Sequence, residues 1–223
     1  MGLLTFAIAT FFGGIFLTTN LYYYKHCPKV STVDNVDIDE FTKHTWYSQM
    51  QQETKYQTRE SFHCVTATYN LEKNRTVPFF DGTVLSVYNY ANYDKVNGPP
   101  MNTKDGQVLC ARQPKPKYPG KLLVGFCYFP NNICGDYWIV GLDKNYEWLI
   151  VSGGQPMEKY NDGCTTKLNT TNHSGLWIFS RRPIIRKNDL ESALTVLKNK
   201  GYTLSELIPI QQRGCRYEDA FIK

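Results

Sequence analysis

The chain has 223 residues and a formal charge of +5, from 25 lysines and arginines against 20 aspartates and glutamates. Its 42% hydrophobic and 20% charged residues are typical of a globular protein, which excludes a disordered or collagen-like chain. The charge is too small and too dispersed to indicate a nucleic-acid partner, whereas 14% aromatic residues favour strands or an aromatic-lined cavity. Seven cysteines are present, so one would lack a partner in an oxidising compartment.

The first 24 residues contain no charged side chain, and residues 3–17 are mostly apolar. An apolar run of this length favours a cleaved secretory signal peptide, whereas residues 21–25 could extend it into an uncleaved anchor with interfacial tyrosines. No basic residue precedes the run and no clean cleavage motif follows it, so both alternatives are kept. Either one delivers the remaining chain to the extracellular space or an endomembrane lumen, where disulfides form. Membrane association would pass through residues 3–24.

Three positions match the acceptor pattern for N-linked glycans, in agreement with export. Asn74, Asn169 and Asn172 each stand two residues before a serine or threonine, with no proline between. We expect these asparagines to be glycosylation sites; the alternative is that they belong to unmodified polar loops.

The middle of the chain alternates short apolar or aromatic runs with glycine, proline, asparagine and aspartate. This spacing predicts a β-sandwich or β-barrel rather than strands that alternate with helices. The predicted strands are residues 45–52, 61–70, 82–90, 106–112, 121–128, 136–142, 146–152 and 175–181. Residues 207–211 are predicted to form a short last strand or an extended segment, which Pro209 places at an edge.

One helix is predicted near the C-terminal end of the sequence. Asn188 is its candidate N-cap, because Glu191 follows three residues later. Apolar side chains then recur at helical spacing and form one narrow stripe of Leu190, Ala193, Leu194 and Leu197. Gly201 is the expected C-terminal stop. A stripe this narrow packs against one surface, so the helix should lie on the outside of the β structure.

Three blocks of the sequence resemble the lipocalin family, in the order that the family uses. Residues 44–47 (HTWY) stand in the place of the family's Gly-x-Trp, with His44 replacing the glycine. Residues 135–140 (GDYWIV) are similar to its Thr-Asp-Tyr block, and residues 176–181 (LWIFSR) are similar to the strand that ends in the family's arginine. The resemblance is closest to the apolipoprotein D and bacterial types of that family.

The resemblance implies an all-β fold. It is an eight-stranded antiparallel up-and-down β-barrel shaped as a cup, with a C-terminal α-helix packed outside and a short final strand. Residues 25–216 would form the lipocalin domain, between the segment 1–24 and a tail of residues 217–223. Trp46 and Arg181 would meet at the closed end as structural residues, with the guanidinium over the indole.

The expected ligand wall follows from strand alternation and from the resemblance. Trp177 and Phe179 share a strand face with Arg181. Because Arg181 is assigned to the closed end of the barrel interior, both aromatic side chains are expected to point inward. Cys64 points outward if Tyr69 points into the cup, and Tyr69 and Trp177 occupy ligand-lining positions by resemblance. The complete expected wall is Tyr69, Trp138, Trp177, Phe179, Met50, Val65 and Ala67. The alternative is that these side chains only fill the core.

Six cysteines receive expected partners. The resemblance implies a Cys64–Cys215 bridge, in agreement with the outward face of Cys64, and it implies Cys27–Cys164 as a second bridge. Cys127 and Cys134 flank a short loop and could close a small ring. Cys110 would then be the unpaired thiol.

Four separate histidines and the absence of a Cys-x-x-Cys motif predict no metal site, and no cofactor is expected.

The resemblance implies a carrier of a small hydrophobic ligand, such as a fatty acid, lysolipid, sterol, retinoid or carotenoid. Lys121 or Arg112 near the mouth could favour an anionic head group. One alternative is a lipid- or pigment-modifying enzyme of the isomerase or de-epoxidase type with Cys110 as its thiol. Another is a tethered extracellular interaction module with a filled barrel and an unknown protein partner.

Overall fold

The computed structural model describes residues 26–71, 77–160 and 162–223. The segment expected to be a signal peptide or anchor and the expected glycan acceptor Asn74 lie outside the described residues. Within the described part of the chain, no helix is long and apolar enough to cross a membrane.

Eight antiparallel strands close into a barrel, as predicted. The strands of the described residues are β1 (Trp46–Gln51), β2 (His63–Leu71), β3 (Val84–Asn92), β4 (Val108–Arg112), β5 (Lys121–Phe126), β6 (Gly135–Leu142), β7 (Trp148–Ser152), β8 (Glu158–Tyr160), β9 (Gly163–Thr165), β10 (Leu176–Ser180) and β11 (Ile208–Pro209). Neighbours pair in order from β1 to β7, β7 pairs with β10, and β10 pairs back with β1. The barrel is therefore closed, which removes the unpaired edges of an open sheet.

Two further pairings lie outside this ring. Strand β11 pairs with β1 as the expected short last strand. Strands β8 and β9 form a separate hairpin inside the connection from β7 to β10, which the sequence did not predict. Strands β8 and β9 have three residues each, and runs this short carry too little periodic signal to be recognised.

Strand alternation divides the apolar side chains into two layers. The inner layer fills the lower barrel with residues such as Leu122, Ile139 and Leu149. The outer layer, with Ile150 and Ile178, lies under helix α2. Strand β7 is consequently buried on both faces.

The described residues contain two α-helices, α1 (Ile38–Thr42) and α2 (Lys187–Asn199). Helix α2 packs on the outside of β6 and β7, as predicted, and buries Ala193 and Leu197 completely. Its start differs from the expectation, because Arg186 rather than Asn188 is the N-cap residue. Asn188 lies inside the first turn and cannot cap it, while Arg186 Nε contacts Asp189 Oδ2 at 2.6 Å.

The C-terminal end of α2 agrees with the prediction. Gly201 has a φ of +78°, the left-handed conformation that favours glycine. The amide of Tyr202 donates to the carbonyl of Leu197 at 3.0 Å, and the amide of Gly201 donates to Lys198 at 2.9 Å. This pair of bonds is a Schellman motif. A β-carbon on Gly201 would lie 2.5 Å from Pro28 Cγ, so the turn also fits closely against the N-terminal segment.

Arg181 connects the parts of the closed end. Its guanidinium lies 3.5 Å from the centroid of the Trp46 ring, as expected. The same group donates to the carbonyls of Glu40 at 2.6 Å, Phe41 at 3.1 Å and His44, and Nε donates to Tyr146 at 3.3 Å. Burial lowers the pKa of Arg181 to about 10, which leaves it protonated at neutral pH. One cation therefore makes hydrogen bonds to helix α1, to the start of β1 and to the β6–β7 turn.

Three disulfides are present. Cys27 pairs with Cys164 and Cys64 pairs with Cys215, as expected. The third bridge joins Cys110 and Cys127, so the expected Cys127–Cys134 bridge is wrong.

The third bridge follows from cross-strand pairing. Leu109 on β4 pairs with Phe126 on β5, which makes Cys110 and Cys127 near neighbours with Cα atoms 4.9 Å apart. The unpaired thiol is therefore Cys134, not Cys110, and it is buried. Glycine at position 125 leaves room for it, since a β-carbon there would lie 2.8 Å from Cys134 Sγ.

The last residues pack along the outside of the barrel. Thr68 Oγ1 on β2 donates to the carbonyl of Phe221 at 2.6 Å, and the Phe221 ring stacks on Tyr88 of β3 at 4.5 Å. Ala220 is buried beside the Cys64–Cys215 bridge. The segment expected to be a tail thus covers the outer faces of β2 and β3.

Candidate functional site

The barrel encloses a cavity of about 500 Å³ above its packed lower layer. Four connections border its open end, namely β1–β2, β3–β4, β5–β6 and β7–β10, and each contributes lining residues. Tyr56, Met101, Phe129 and His173 are one example from each connection. Helix α1, the β4–β5 and β6–β7 connections and the described part of the β2–β3 connection lie at the opposite, closed end. A cavity of this size is in the range that holds small organic ligands, about 300–1,000 Å³.

Five of the seven side chains expected to form the ligand wall line this cavity. They are Val65, Ala67 and Tyr69 on β2, and Trp177 and Phe179 on β10. The face counted on β10 is therefore the observed one. On β2, Cys64 lies on the outside, as expected, although a register shift between His63 and Thr66 makes the strand irregular there. Ligand contact by these five residues stays a prediction.

Met50 and Trp138 do not line the cavity, so both expectations are wrong. A β-bulge between Ser48 and Met50 reverses the alternation of β1, and Met50 pairs with the outward-facing Ile178. Trp138 also lies in the outer layer, where the Lys121 ammonium sits 3.9 Å from its ring centroid. On β6 it is Tyr137, the neighbour of Trp138, that faces inward.

Two tyrosine hydroxyls meet inside the cup. The Tyr69 and Tyr137 oxygens are 2.6 Å apart, and one hydroxyl donates to the other. Below them the Tyr69 ring contacts the Phe41 ring of helix α1, with centroids 4.9 Å apart. Burial raises the pKa of both phenols, so both stay neutral at physiological pH. One hydroxyl hydrogen of the pair is left to donate to another group.

Tyr137 is the polar lining residue deep in the cup that sequence reasoning missed, together with apolar ones such as Val87, Leu109 and Val124. The sequence offered one signal, because Tyr137 and Ile139 share a face and alternate with Trp138 and Val140. The choice between these two faces needed an inward reference residue on the same strand, and no such residue was identified.

The cavity wall carries little charge. Among the described residues that line it there is no lysine or arginine, and the charged residue types are Asp136 and His173 at the rim. These two contact each other, with His173 Nδ1 3.0 Å from Asp136 Oδ2. The same part of the chain holds no group of side chains that could bind a metal ion.

The two cations expected near the mouth lie elsewhere. Lys121 begins β5 at the closed end and stacks on the outer face of Trp138. Arg112 is fully buried outside the cup, where it donates to the carbonyls of Phe129 at 2.6 Å and Phe126 at 3.0 Å. Neither is a lining residue, so the expected ion pair with an anionic head group is wrong.

A family profile described as a lipocalin-like domain matches residues 36–212. The chain belongs to the lipocalin family. This match includes all eight barrel strands and helix α2 of the described structure.

Solved structures agree on the fold. Insecticyanin from the tobacco hornworm Manduca sexta superposes with a TM-score of 0.55 at 18% identity, over 86% of this lipocalin and 90% of that chain. The allergen Per a 4 from cockroaches gives 0.52 at 15% identity, over 83% and 94%. Lobster apocrustacyanin A1 gives 0.50 at 17% identity, over 87% and 96%. Identities this low show a shared fold and nothing about the ligand. No curated protein matches the sequence.

Proposed function

We propose that this lipocalin binds a small, uncharged hydrophobic molecule in its cup and carries or sequesters it. The observation that supports this function most directly is the aromatic cavity of about 500 Å³ with no lysine or arginine in its described wall. An apolar ligand gains roughly 25 cal/mol for each Å² of surface that leaves water. A carboxylate or phosphate would lose its hydration without a cation to replace it. Sterols, retinoids and carotenoids therefore fit better than fatty acids or lysolipids.

The tyrosine pair supplies the polar contact that such a ligand needs. A hydroxyl or carbonyl oxygen of the ligand would accept the free hydrogen of the Tyr69–Tyr137 pair. A few fixed polar groups in an apolar wall orient a ligand. The wall thus favours a molecule with a long apolar body and one oxygen at its inner end.

The experiment compares ligands that share one hydrophobic body. Retinol, retinal and retinoate are titrated against the full chain loaded with an apolar fluorescent probe. We expect the alcohol and the aldehyde to displace the probe at least tenfold more effectively than the acid. Equal displacement by all three would show that charge is not excluded. No probe binding at all would favour a filled barrel and overturn the proposed function.

Two tryptophans form a matched pair of variants. Trp177→Ala removes part of the cavity wall and should weaken probe binding about tenfold. Trp138→Ala removes the same side chain from the outer layer and should leave probe binding unchanged. Melting temperatures of both variants separate lost binding from lost folding. Equal effects of the two substitutions on the binding of folded protein would contradict the proposed site.

Export and glycosylation belong to the same proposal. Three disulfides support folding in an oxidising compartment, outside the cell or in an endomembrane lumen. Asn169 and Asn172 are exposed on the β7–β10 connection, as glycan acceptors must be. The finer resemblance to apolipoprotein D and bacterial lipocalins stays part of this proposal.

The alternative of a lipid- or pigment-modifying enzyme relied on Cys110 as its thiol. Cys110 is bonded to Cys127 on the outer face of β4, so it offers no thiol to a ligand in the cup.

A further inference from the structure

Exposed apolar side chains are concentrated at the open end of the barrel. Of the eleven large hydrophobic side chains that are exposed in the described residues, six lie in the four open-end connections: Tyr56, Tyr93, Met101, Tyr128, Ile133 and Met157. Every open-end connection contributes at least one of them. We call these six side chains the rim; three of them, Tyr56, Met101 and Ile133, also line the apolar cavity, so the rim and the cavity are continuous there. Exposed apolar patches of this kind mark sites of contact with a protein or a membrane.

The β5–β6 connection, residues 127–134, is the most apolar part of this rim. Its sequence, CYFPNNIC, has no charged residue. The ring of Tyr128, which is 70% exposed, stacks on Phe126 at 5.4 Å and meets Phe129 edge-on at 5.1 Å. Aromatic side chains with one polar end are enriched where proteins meet the interface of a bilayer.

The aromatic connection is held rigidly from behind. Buried Arg112 donates to the carbonyls of Phe126 and Phe129, and the Cys110–Cys127 bridge fixes its first residue to β4. The stacked rings therefore keep their exposed arrangement without a partner. A surface held in its binding conformation loses little entropy when it docks.

The N-terminal segment joins the barrel at the same end. The Cys27–Cys164 bridge attaches the start of the described chain to the β7–β10 connection. Gln155, in that connection, donates to the carbonyl of Pro28 at 2.6 Å and accepts from the amide of Val30 at 3.0 Å. The apolar run of residues 3–17 ends ten positions before Cys27. If that run stays in a bilayer, ten residues reach at most about 35 Å, which keeps the open end near the membrane.

We propose that the open end of this lipocalin docks on the surface of a phospholipid bilayer, with the β5–β6 connection at the interface. Docking would let a hydrophobic ligand pass between bilayer and cup without crossing water. The attraction is apolar rather than electrostatic, so it should persist on uncharged phosphatidylcholine and at high ionic strength. The docking surface does not depend on which ligand the cup holds.

The experiment measures which end of the full chain approaches the lipid. Tyr128→Trp places a fluorophore on the proposed interface, and Tyr118→Trp places one in the β4–β5 connection at the closed end. Each variant is mixed with phosphatidylcholine vesicles that carry a quencher at the head group or upper acyl chain, and the unsubstituted chain supplies the background of its four tryptophans. We expect quenching at position 128 and none at position 118. Equal quenching at both positions, stronger quenching at position 118, or quenching at neither would overturn the proposal.

A second pair of variants measures the contribution of the exposed ring. Tyr128→Ser should weaken vesicle binding about three- to tenfold, because it removes an exposed aromatic side chain from the interface. Tyr118→Ser should leave vesicle binding unchanged. Neither residue lines the cavity, so displacement of the fluorescent probe in solution should be the same in both. Vesicle binding without probe binding would contradict the proposed function alone, and probe binding without end-specific quenching would contradict the docking alone.

Discussion

The sharpest stability prediction concerns Arg181→Met, which keeps most of the apolar stem but removes the guanidinium. The substitution deletes four hydrogen bonds to carbonyls of helix α1, the start of β1 and the β6–β7 turn, together with the contact to the Trp46 ring. A hydrogen bond from a charged donor contributes about 1.5–3 kcal/mol and a cation–π contact about 1–2 kcal/mol. These contributions are not additive, and water replaces part of them because the side chain is half-buried. We expect a loss of about 2–4 kcal/mol in the free energy of unfolding.

For a domain of this size that loss lowers the melting temperature by about 5–15 °C. Urea unfolding followed by tryptophan fluorescence measures the free energy, and probe displacement measures binding by the protein that is still folded. Arg182→Met is the matched control, because Arg182 is exposed and makes one 3.5 Å ion pair with Glu147. It should cost less than about 0.5 kcal/mol. Unchanged melting of Arg181→Met with lost probe binding would refute the structural role assigned to Arg181.

Three further predictions concern other parts of the fold. Gly201→Ala should lower the free energy of unfolding by about 2–4 kcal/mol, and Gly214→Ala by about 1 kcal/mol. Both glycines have a positive φ, but only a β-carbon on Gly201 would meet Pro28. Equal losses in urea unfolding would contradict this. The pKa of the Tyr69 phenol is raised in the folded state, so the free energy of unfolding should fall as pH rises above about 10. Tyr69→Phe should reduce this fall by up to about 1.4 kcal/mol per pH unit, as measured by urea unfolding at alkaline pH. Cys134 should be the single thiol that iodoacetamide modifies. Because burial raises the pKa of this thiol, the reaction should be slow in the native protein and fast in urea. A second modified cysteine would contradict the bridges described.

The barrel was predictable because its signals are local and repeated. Each strand is bounded by turn residues, and the inward direction of β10 could be counted from Arg181. The same counting on β2 gave the faces of Cys64 and Tyr69. On β10 the inference holds because alternation along an unbroken strand depends only on the number of residues. On β2 the same is true from Thr66 onward, whereas a register shift between His63 and Thr66 makes the strand irregular at Cys64.

The wrong predictions concern features that counting residues cannot supply. The extra residue of the β1 bulge turns the Met50 side chain to the outer face of the strand, and nothing in the sequence predicts a bulge at this place. The partner of Cys127 depended on which strand lay beside it, not on the shortest loop to another cysteine. Arg112 was expected near the mouth, but in the fold it donates to the carbonyls of Phe126 at the end of β5 and Phe129 in the β5–β6 connection.

The first disulfide also determines how the barrel would carry a mechanical load. Tension applied through the N-terminal segment enters at Cys27 and crosses directly to Cys164. The Cys64–Cys215 bridge does the same for the other end, so three stretches of backbone, residues 27–64, 64–164 and 164–215, connect the two bridges in parallel. Strands β3 to β7 lie in the longest stretch, so a pull between the two ends of the chain does not extend them. The two shorter stretches bear the force; one contains helix α1 and β1, and the other contains β10, helix α2 and β11. A lipocalin tethered at its N-terminus would therefore keep β3 to β7 unstrained, while the load falls on helix α1, β1 and the final strands and helix.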